Sequence, residues 1–209
     1  MAKDITLVDF LRAISNAMIA AEHELTELDS ALGDGDCGQG MKTGFTAVLE
    51  ALQDGDGLSP NDVLKKTAMA LISAVGGTSG AIYGTAFMKM AAAAKEPPAD
   101  LVGVADILEA GLNGAKMRGE DTKIGDKTLV DALEPAVYAF KEKAVAGASL
   151  QEALDAALDA AQKGSDSTID LIAKKGRASY LGERSIGHRD AGSYGIVVIA
   201  QAARDTANA

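Results

Sequence analysis

The chain has 209 residues, 47% of them apolar and 24% charged, which is the balance of a soluble globular protein and excludes a disordered or collagen-like one. Lys and Arg number 20 against 30 Asp and Glu, a net charge of -10 that repels nucleic acid and anionic membrane surfaces. With 23 glycines, no Trp and 4% aromatics, the core must be built from Leu, Ile, Val, Met and Ala, as suits helices packed closely through small side chains.

The period of the apolar residues is helical almost throughout. Leu7, Phe10, Leu11, Ile14, Ala17, Met18 and Ala21 recur at steps of three and four and predict a first helix, capped near Thr6. Phe45, Val48, Leu49 and Leu52 predict a second over Met41 to Leu52. Ser59-Pro60, an N-cap followed by proline at the first helical position, opens a third that runs to Val75 and stops at Gly76-Gly77. A fourth spans Ser79 to Ala94, ahead of Pro97-Pro98, and a fifth Leu101 to Met117. The sixth, Lys127 to Ala146, is expected to bend or restart at Pro135, which has no N–H to donate.

Ser149-Leu150-Gln151-Glu152 is a capping box and starts a seventh helix that reaches about Gln162. A short helix over Asp166 to Ala173 and a last one over Ser193 to Ala207 follow; Ile196 to Ile199 alone would also suit a strand. The expectation is one all-α domain over residues 1–209, of about eight helices. Met1-Ala2-Lys3-Asp4 carries an acid where a signal peptide needs an apolar run, and the apolar stretch Tyr194 to Ala203 is too short to span a bilayer. The single cysteine, Cys37, cannot form an internal disulfide, in keeping with a reducing compartment. The expected location is cytoplasmic.

Two segments break the helical pattern. Asp29 to Gly40 is rich in Asp and Gly, and Lys174 to Gly192 gathers Lys174, Lys175, Arg177, Arg184 and Arg189 on an otherwise acidic chain. The first contains a literal G-x-G-x-x-G at Gly33, Gly35 and Gly38, but a helix precedes it where a dinucleotide fingerprint needs a strand. An EF-hand fails because Phe45 stands where the twelfth-position Glu belongs, and there is no P-loop motif. What remains is Asp29, Asp34 and Asp36, three hard oxygen donors among flexible glycines. These residues alone leave two readings open: a Mg²⁺ site completed by phosphates, or turn formers and helix caps. Gly76-Gly77-Thr78-Ser79-Gly80 ahead of a helix is either a phosphate-binding helix start or a tight turn.

Taken together, Asp29, Gly-Asp34-Gly-Asp36, Gly76-Gly77-Thr78-Ser79-Gly80, Gly125-Asp126-Lys127-Thr128 and the run from Lys174 to His188 form a pattern similar to one family. The chain resembles the L subunit, or nucleotide-binding domain, of dihydroxyacetone kinases (the DhaL family), from the first helix to the last. The resemblance implies an antiparallel eight-helix barrel with ADP or ATP bound in the loops at one mouth. It implies that Asp29, Asp34 and Asp36 hold two Mg²⁺ ions, and that Cys37, Gly38, Gln39, Gly40, Thr78 and Ser79 contact phosphates. Gly119 and Leu129 then match positions enclosing adenine and ribose. Arg177, Asp190, Ala191 and Gly192 match the remaining nucleotide contacts, with Arg177 the catalytic candidate. Cys37 stands where the family commonly has His, and Gly40 where it has Asn, so side-chain contacts to phosphate are lost at both. A catalytic thiol at Cys37 is the tempting alternative. His23 is expected to face solvent and His188 lies in the family loop.

The same resemblance implies partners. The triose sits on a separate K subunit, and in the phosphotransferase-system version a phosphohistidine protein rephosphorylates bound ADP in place. An ATP-dependent split kinase, an ADP-state regulator docking to a transcription factor, a structural or lipid-filled barrel and a homodimer all stay open.

Overall fold

The computed structural model describes residues 5–208, so Met1-Ala2-Lys3-Asp4 and the reading placed on them lie outside the described residues. Nine α-helices are present among those described: α1 (Leu7–Ala20), α2 (Glu22–Leu32), α3 (Cys37–Ala51), α4 (Pro60–Ala74), α5 (Gly77–Ala93), α6 (Leu101–Arg118), α7 (Val130–Val145), α8 (Leu150–Ser167) and α9 (Ala191–Ala207). Only Ala21 separates α1 from α2, and both lie against α3 and α9. They make one broken stave. From there each helix packs on the next in sequence, and α9 closes back on α1. The result is the expected all-α barrel of eight antiparallel staves. No helix among the described residues is long and apolar enough to cross a membrane.

Local chemistry explains most boundaries. Thr6 and Asp9 form a reciprocal capping box at the start of α1, as do Ser149 and Glu152 at α8. Ser59 accepts from Asp62 N at α4, and Asp100 accepts from Gly103 N at α6. The core is a continuous cluster from Val8, Leu11 and Met18 through Phe45, Leu64 and Leu71 to Phe140 and Ile196. Phe45 meets Tyr83 edge-on, 6.4 Å between centroids. Elsewhere the staves touch through small residues such as Ala68, Ala105, Ala132, Ala153 and Ala161, all fully buried.

Three expectations are corrected. Helix α2 was not evident from periodicity, because most of its residues are polar and only Leu25 and Leu32 are buried; the acidic link between helices shrinks to residues 33–36. Pro135 does not break α7, which runs through it. The carbonyl left without an N–H donor by Pro135 is that of Asp131, and α8 packs so tightly there that a Cβ on Gly164 would lie 2.1 Å from it. The short helix expected over Asp166 to Ala173 is instead the end of α8 followed by a 3-10 turn, Thr168–Asp170. Residues Ile196 to Ile199 are helical, and the basic segment after Lys174 contains 3-10 turns over Arg177–Ser185, kinked at Gly182.

Candidate functional site

With staves alternating in direction, the α2–α3, α4–α5, α6–α7 and α8–α9 connections all fall at one end of the barrel. They enclose a cavity of about 680 Å³. Asp29, in the last turn of α2, joins Asp34 and Asp36 from the link, and one oxygen from each lies within 4.8 Å of the others. A positive φ of 72° at Gly35 makes the turn that brings them together. Two unit charges 4 Å apart repel by roughly 4 kcal/mol in a partly screened site. Burial, and then the charges of Asp34 and Asp29, hold the Asp36 carboxyl above its ordinary range. Arg177 reaches this cluster from the α8–α9 connection, with a nitrogen 3.0 Å from Asp34. A set of three carboxylates, hard and anionic, fits a divalent cation of the Mg²⁺ kind.

Helix starts also meet the cavity. That of α3 follows Asp36 and is braced by Asp29, while α5 has no side-chain cap bond among the described residues. The N-cap of α5 is Gly76, and Thr78 and Ser79 in its first turn line the cavity. Uncapped N–H groups and the positive end of the helix dipole suit phosphate oxygens. The start of α9 differs: Asp190 accepts from Ser193 N at 2.6 Å, and burial pushes its acid up to about 7.

Among the residues expected from sequence, the cavity wall brings together Asp29, Asp34, Asp36, Cys37, Thr78, Ser79, Gly119, Leu129, Arg177, Asp190, Ala191 and Gly192. Gly38, Gln39 and Gly40 are not part of that wall. Gly38 is the contact between α3 and α2, where a Cβ would come within 2.0 Å of the Glu22 carbonyl oxygen. Gln39 turns its amide to Thr43, and Gly40 N donates to Asp36 O within the helix. Cys37 N donates to Asp29 Oδ2 at 3.2 Å, so the backbone of α3 braces a carboxylate of the cluster. Burial, with Asp29, Asp190 and Asp36 adding to it, pushes the Cys37 thiol up to about 12, the opposite of an activated thiolate. His23 is exposed beside Glu27, as expected.

Three wall or support residues were not assigned roles from sequence. Lys127 is 1% exposed and its ammonium donates to Thr168 O and His188 O, each at 2.5 Å. Asp131, equally buried, accepts from Gly125 N at 2.6 Å and Thr128 N at 2.7 Å and so shapes the α6–α7 connection. Tyr83 lines the cavity floor with a buried hydroxyl that has no hydrogen-bond partner among the described residues, and burial drives its acidity down, raising the pKa. The run Gly125 to Thr128 was the available signal for the first two. Apolar periodicity would place Tyr83 in the core and nothing more.

A DAK2 domain model matches residues 31–205. The chain belongs to the DAK2-domain family. The resemblance read from the loops therefore holds. A PEP-dependent dihydroxyacetone kinase 1, ADP-binding subunit DhaL, of Listeria innocua is 41% identical over 182 residues, 87% of this chain and 86% of its own. A PEP-dependent dihydroxyacetone kinase, ADP-binding subunit DhaL, of Escherichia coli is 36% identical over 196 residues, 93% of each. The solved dihydroxyacetone kinase of C. freundii in complex with AMP-PNP and Mg²⁺ superposes with a TM-score of 0.74 at 23% identity, covering 95% of this chain and 33% of that one. That likeness shows that the two share a fold.

Proposed function

We propose that this chain is the nucleotide-binding, phosphoryl-transferring subunit of a kinase for dihydroxyacetone or a related small ketose. The observation that carries the reading is the meeting of three carboxylates and the uncapped start of α5 in one cavity. Asp29, Asp34 and Asp36 would hold two Mg²⁺, which when bound neutralise charge on the β- and γ-phosphates. The open N–H groups of α5 orient phosphate oxygens, Gly119 and Leu129 lie on the wall for the base and sugar, and Arg177 supplies an exposed positive charge beside Asp34. Phosphoryl transfer needs this positioning and charge complementarity more than covalent help.

A base for the acceptor hydroxyl must come within hydrogen-bond reach of its proton. The mouth's carboxylates are committed to the cation site, at Asp190 to capping α9 and at Glu120 to an ion pair with Lys175, and Cys37 holds a protonated thiol. The acceptor and its base therefore come on a separate K-type subunit. Docking over the mouth also keeps water from the γ-phosphate. Relatives that match this chain along most of their length are subunits named PEP- or PTS-dependent and ADP-binding. That favours ADP retained on the chain and rephosphorylated by a phosphohistidine protein over free exchange of ATP.

The test incubates the chain, loaded with ADP and Mg²⁺, with dihydroxyacetone, a K-type subunit and a phosphohistidine donor, omitting each in turn. Triose phosphate is expected only with all present. Robust turnover by the isolated chain with ATP would refute the divided site, and turnover with ATP plus the K-type subunit alone would replace the phosphohistidine donor.

A further inference from the structure

The α6–α7 connection and the basic segment of the α8–α9 connection come from opposite sides of α7 and α8, yet they are tied together by lysines. Lys174 donates its backbone N–H to Asp126 O and its ammonium to Gly125 O, and Lys175 donates its ammonium to Glu120 O. These two lysines are at least a third exposed in their side chains or close to it. Lys127 is different. It reaches the other way, from the α6–α7 connection under the basic segment, and is buried at 1% exposure. Its two carbonyl partners bracket the segment: Thr168 O at the end of α8 and His188 O two residues before Asp190.

The bonds continue from there into the cavity wall. The hydroxyl of Thr168 accepts from Asp190 N at 3.0 Å, and Gly187 N donates to Ile169 O at 2.8 Å. Asp190 in turn caps α9 through Ser193 N. One buried ammonium thus fixes the point where the segment leaves α8 and the point where it enters α9. Lys127 does this at a φ of +62°, a left-handed conformation rarely adopted by a long side chain. Asp131 holds the connection in that shape through Gly125 N and Thr128 N. A position that needs only packing or solvation has no use for such a backbone and a buried cation. Acidic neighbours offset the ammonium's burial: desolvation draws its pKa down, while Asp190, Asp131 and Asp170 oppose that shift.

The geometry points to Lys127 as a positioning residue: it latches the His188 to Asp190 end of the basic segment at the mouth, so that the start of α9 is presented to the nucleotide. This rests on the reading of the mouth as a nucleotide site, but the latch itself can be measured on the free protein. It acts on how tightly nucleotide is held, and leaves the chemical step to Arg177 and the metal carboxylates.

The experiment compares the wild-type chain with Lys127→Met, which keeps the length of the side chain and removes the ammonium. Amide hydrogen exchange on the free protein is expected to accelerate at least tenfold at Gly187 and Asp190, with α1 and α3 unchanged. The dissociation constant for ADP with Mg²⁺ is expected to rise about tenfold, and phosphoryl transfer at saturating nucleotide to change less than threefold. Should the Met variant not fold, Lys127→Gln, which keeps donor hydrogens but no charge, is read in the same assays. Unchanged exchange at Gly187 and Asp190 overturns the latch. Faster exchange spread equally over α1 and α3 shows a general loss of stability and also overturns it. A loosened segment with unchanged ADP affinity overturns the positioning role. Failure of the wild-type chain to bind ADP counts against the proposed function instead, and the exchange result still decides the latch.

Discussion

The two ends of the barrel treat their helix starts differently. At the end away from the cavity, α1, α4, α6 and α8 begin at Thr6, Ser59, Asp100 and Ser149, and each accepts a backbone N–H of the first turn. At the mouth, Asp190 caps α9, Thr128 Oγ1 accepts from Val130 N at α7 and Asp29 accepts from Cys37 N at α3, so that only α5 begins with no side-chain acceptor among the described residues. An N-terminal helix turn leaves up to four N–H groups unsatisfied, so a cap is worth about 1 kcal/mol to stability. The one start left without an acceptor, that of α5, lies in the cavity wall, where a ligand can take its donors. The same end holds the repelling carboxylates and the left-handed residues Glu120, Asp121 and Lys127. Strain and unsatisfied charge are concentrated at the mouth, and the closed end stabilises the barrel around it.

The largest expected effect comes from the carboxylates. Asp34→Asn with Asp36→Asn removes two charges from a site where each is exposed and contributes little packing. Mg²⁺-dependent ADP binding is expected to fall below detection by titration calorimetry, while the helical circular dichroism stays that of the wild type. Relief of repulsion should even raise the thermal midpoint when no metal is added. Unchanged affinity for ADP with Mg²⁺ would remove these residues from the metal site and leave them as turn formers.

A smaller effect tests the comparison of the two ends directly. Gly76 has extended backbone angles, φ -71° and ψ 169°, and a Cβ there meets nothing within 4 Å. Gly76→Asp can therefore supply the missing cap of α5. Its carboxylate would take the N–H groups offered to phosphate, so ADP affinity is expected to drop about tenfold, or about 1.4 kcal/mol, while stability gains a few tenths of a kcal/mol. Ser59→Ala at the closed end is the mirror experiment: a loss of about 1 kcal/mol in stability with ADP affinity unchanged. If both substitutions shifted only stability, the open start of α5 would have no ligand role.

The closed end was also the more legible in sequence. Thr6, Ser59-Pro60 and the Ser149 to Glu152 box announced three of its four helix starts, because a cap is a local hydrogen bond between neighbours in the chain. The acidic cluster and Thr78-Ser79 were legible as residue types, since their chemistry is unusual for a helical barrel. What the chain order concealed was non-local. Gly38 reads as part of a phosphate loop, yet its lack of a side chain serves the approach of α2. Helix α2 hid because a broken stave leaning on two neighbours needs few apolar residues. Lys127 finds its partners 41 and 61 residues away, beyond any local pattern.

The smallest effect is expected at Cys37, and it separates braced geometry from chemistry within the mouth itself. Its part in the site runs through the backbone: the N–H donates to Asp29, and that bond survives any side chain that keeps α3 intact. The sulfur is half-buried among carboxylates, and with its pKa pushed up to about 12 the thiol stays protonated at pH 8. A nucleophilic cysteine is found in the opposite surroundings, beside a cation or at an exposed helix start without acids. Cys37→Ser is therefore expected to keep more than about a tenth of the transfer rate, within the loss of one ordinary polar contact, with ADP affinity within about threefold of the wild type. Iodoacetamide at pH 8 should label the native thiol far more slowly than an unfolded chain. Rapid labelling together with complete loss of transfer in a Ser variant that still binds ADP would show that the thiol itself takes part in the reaction.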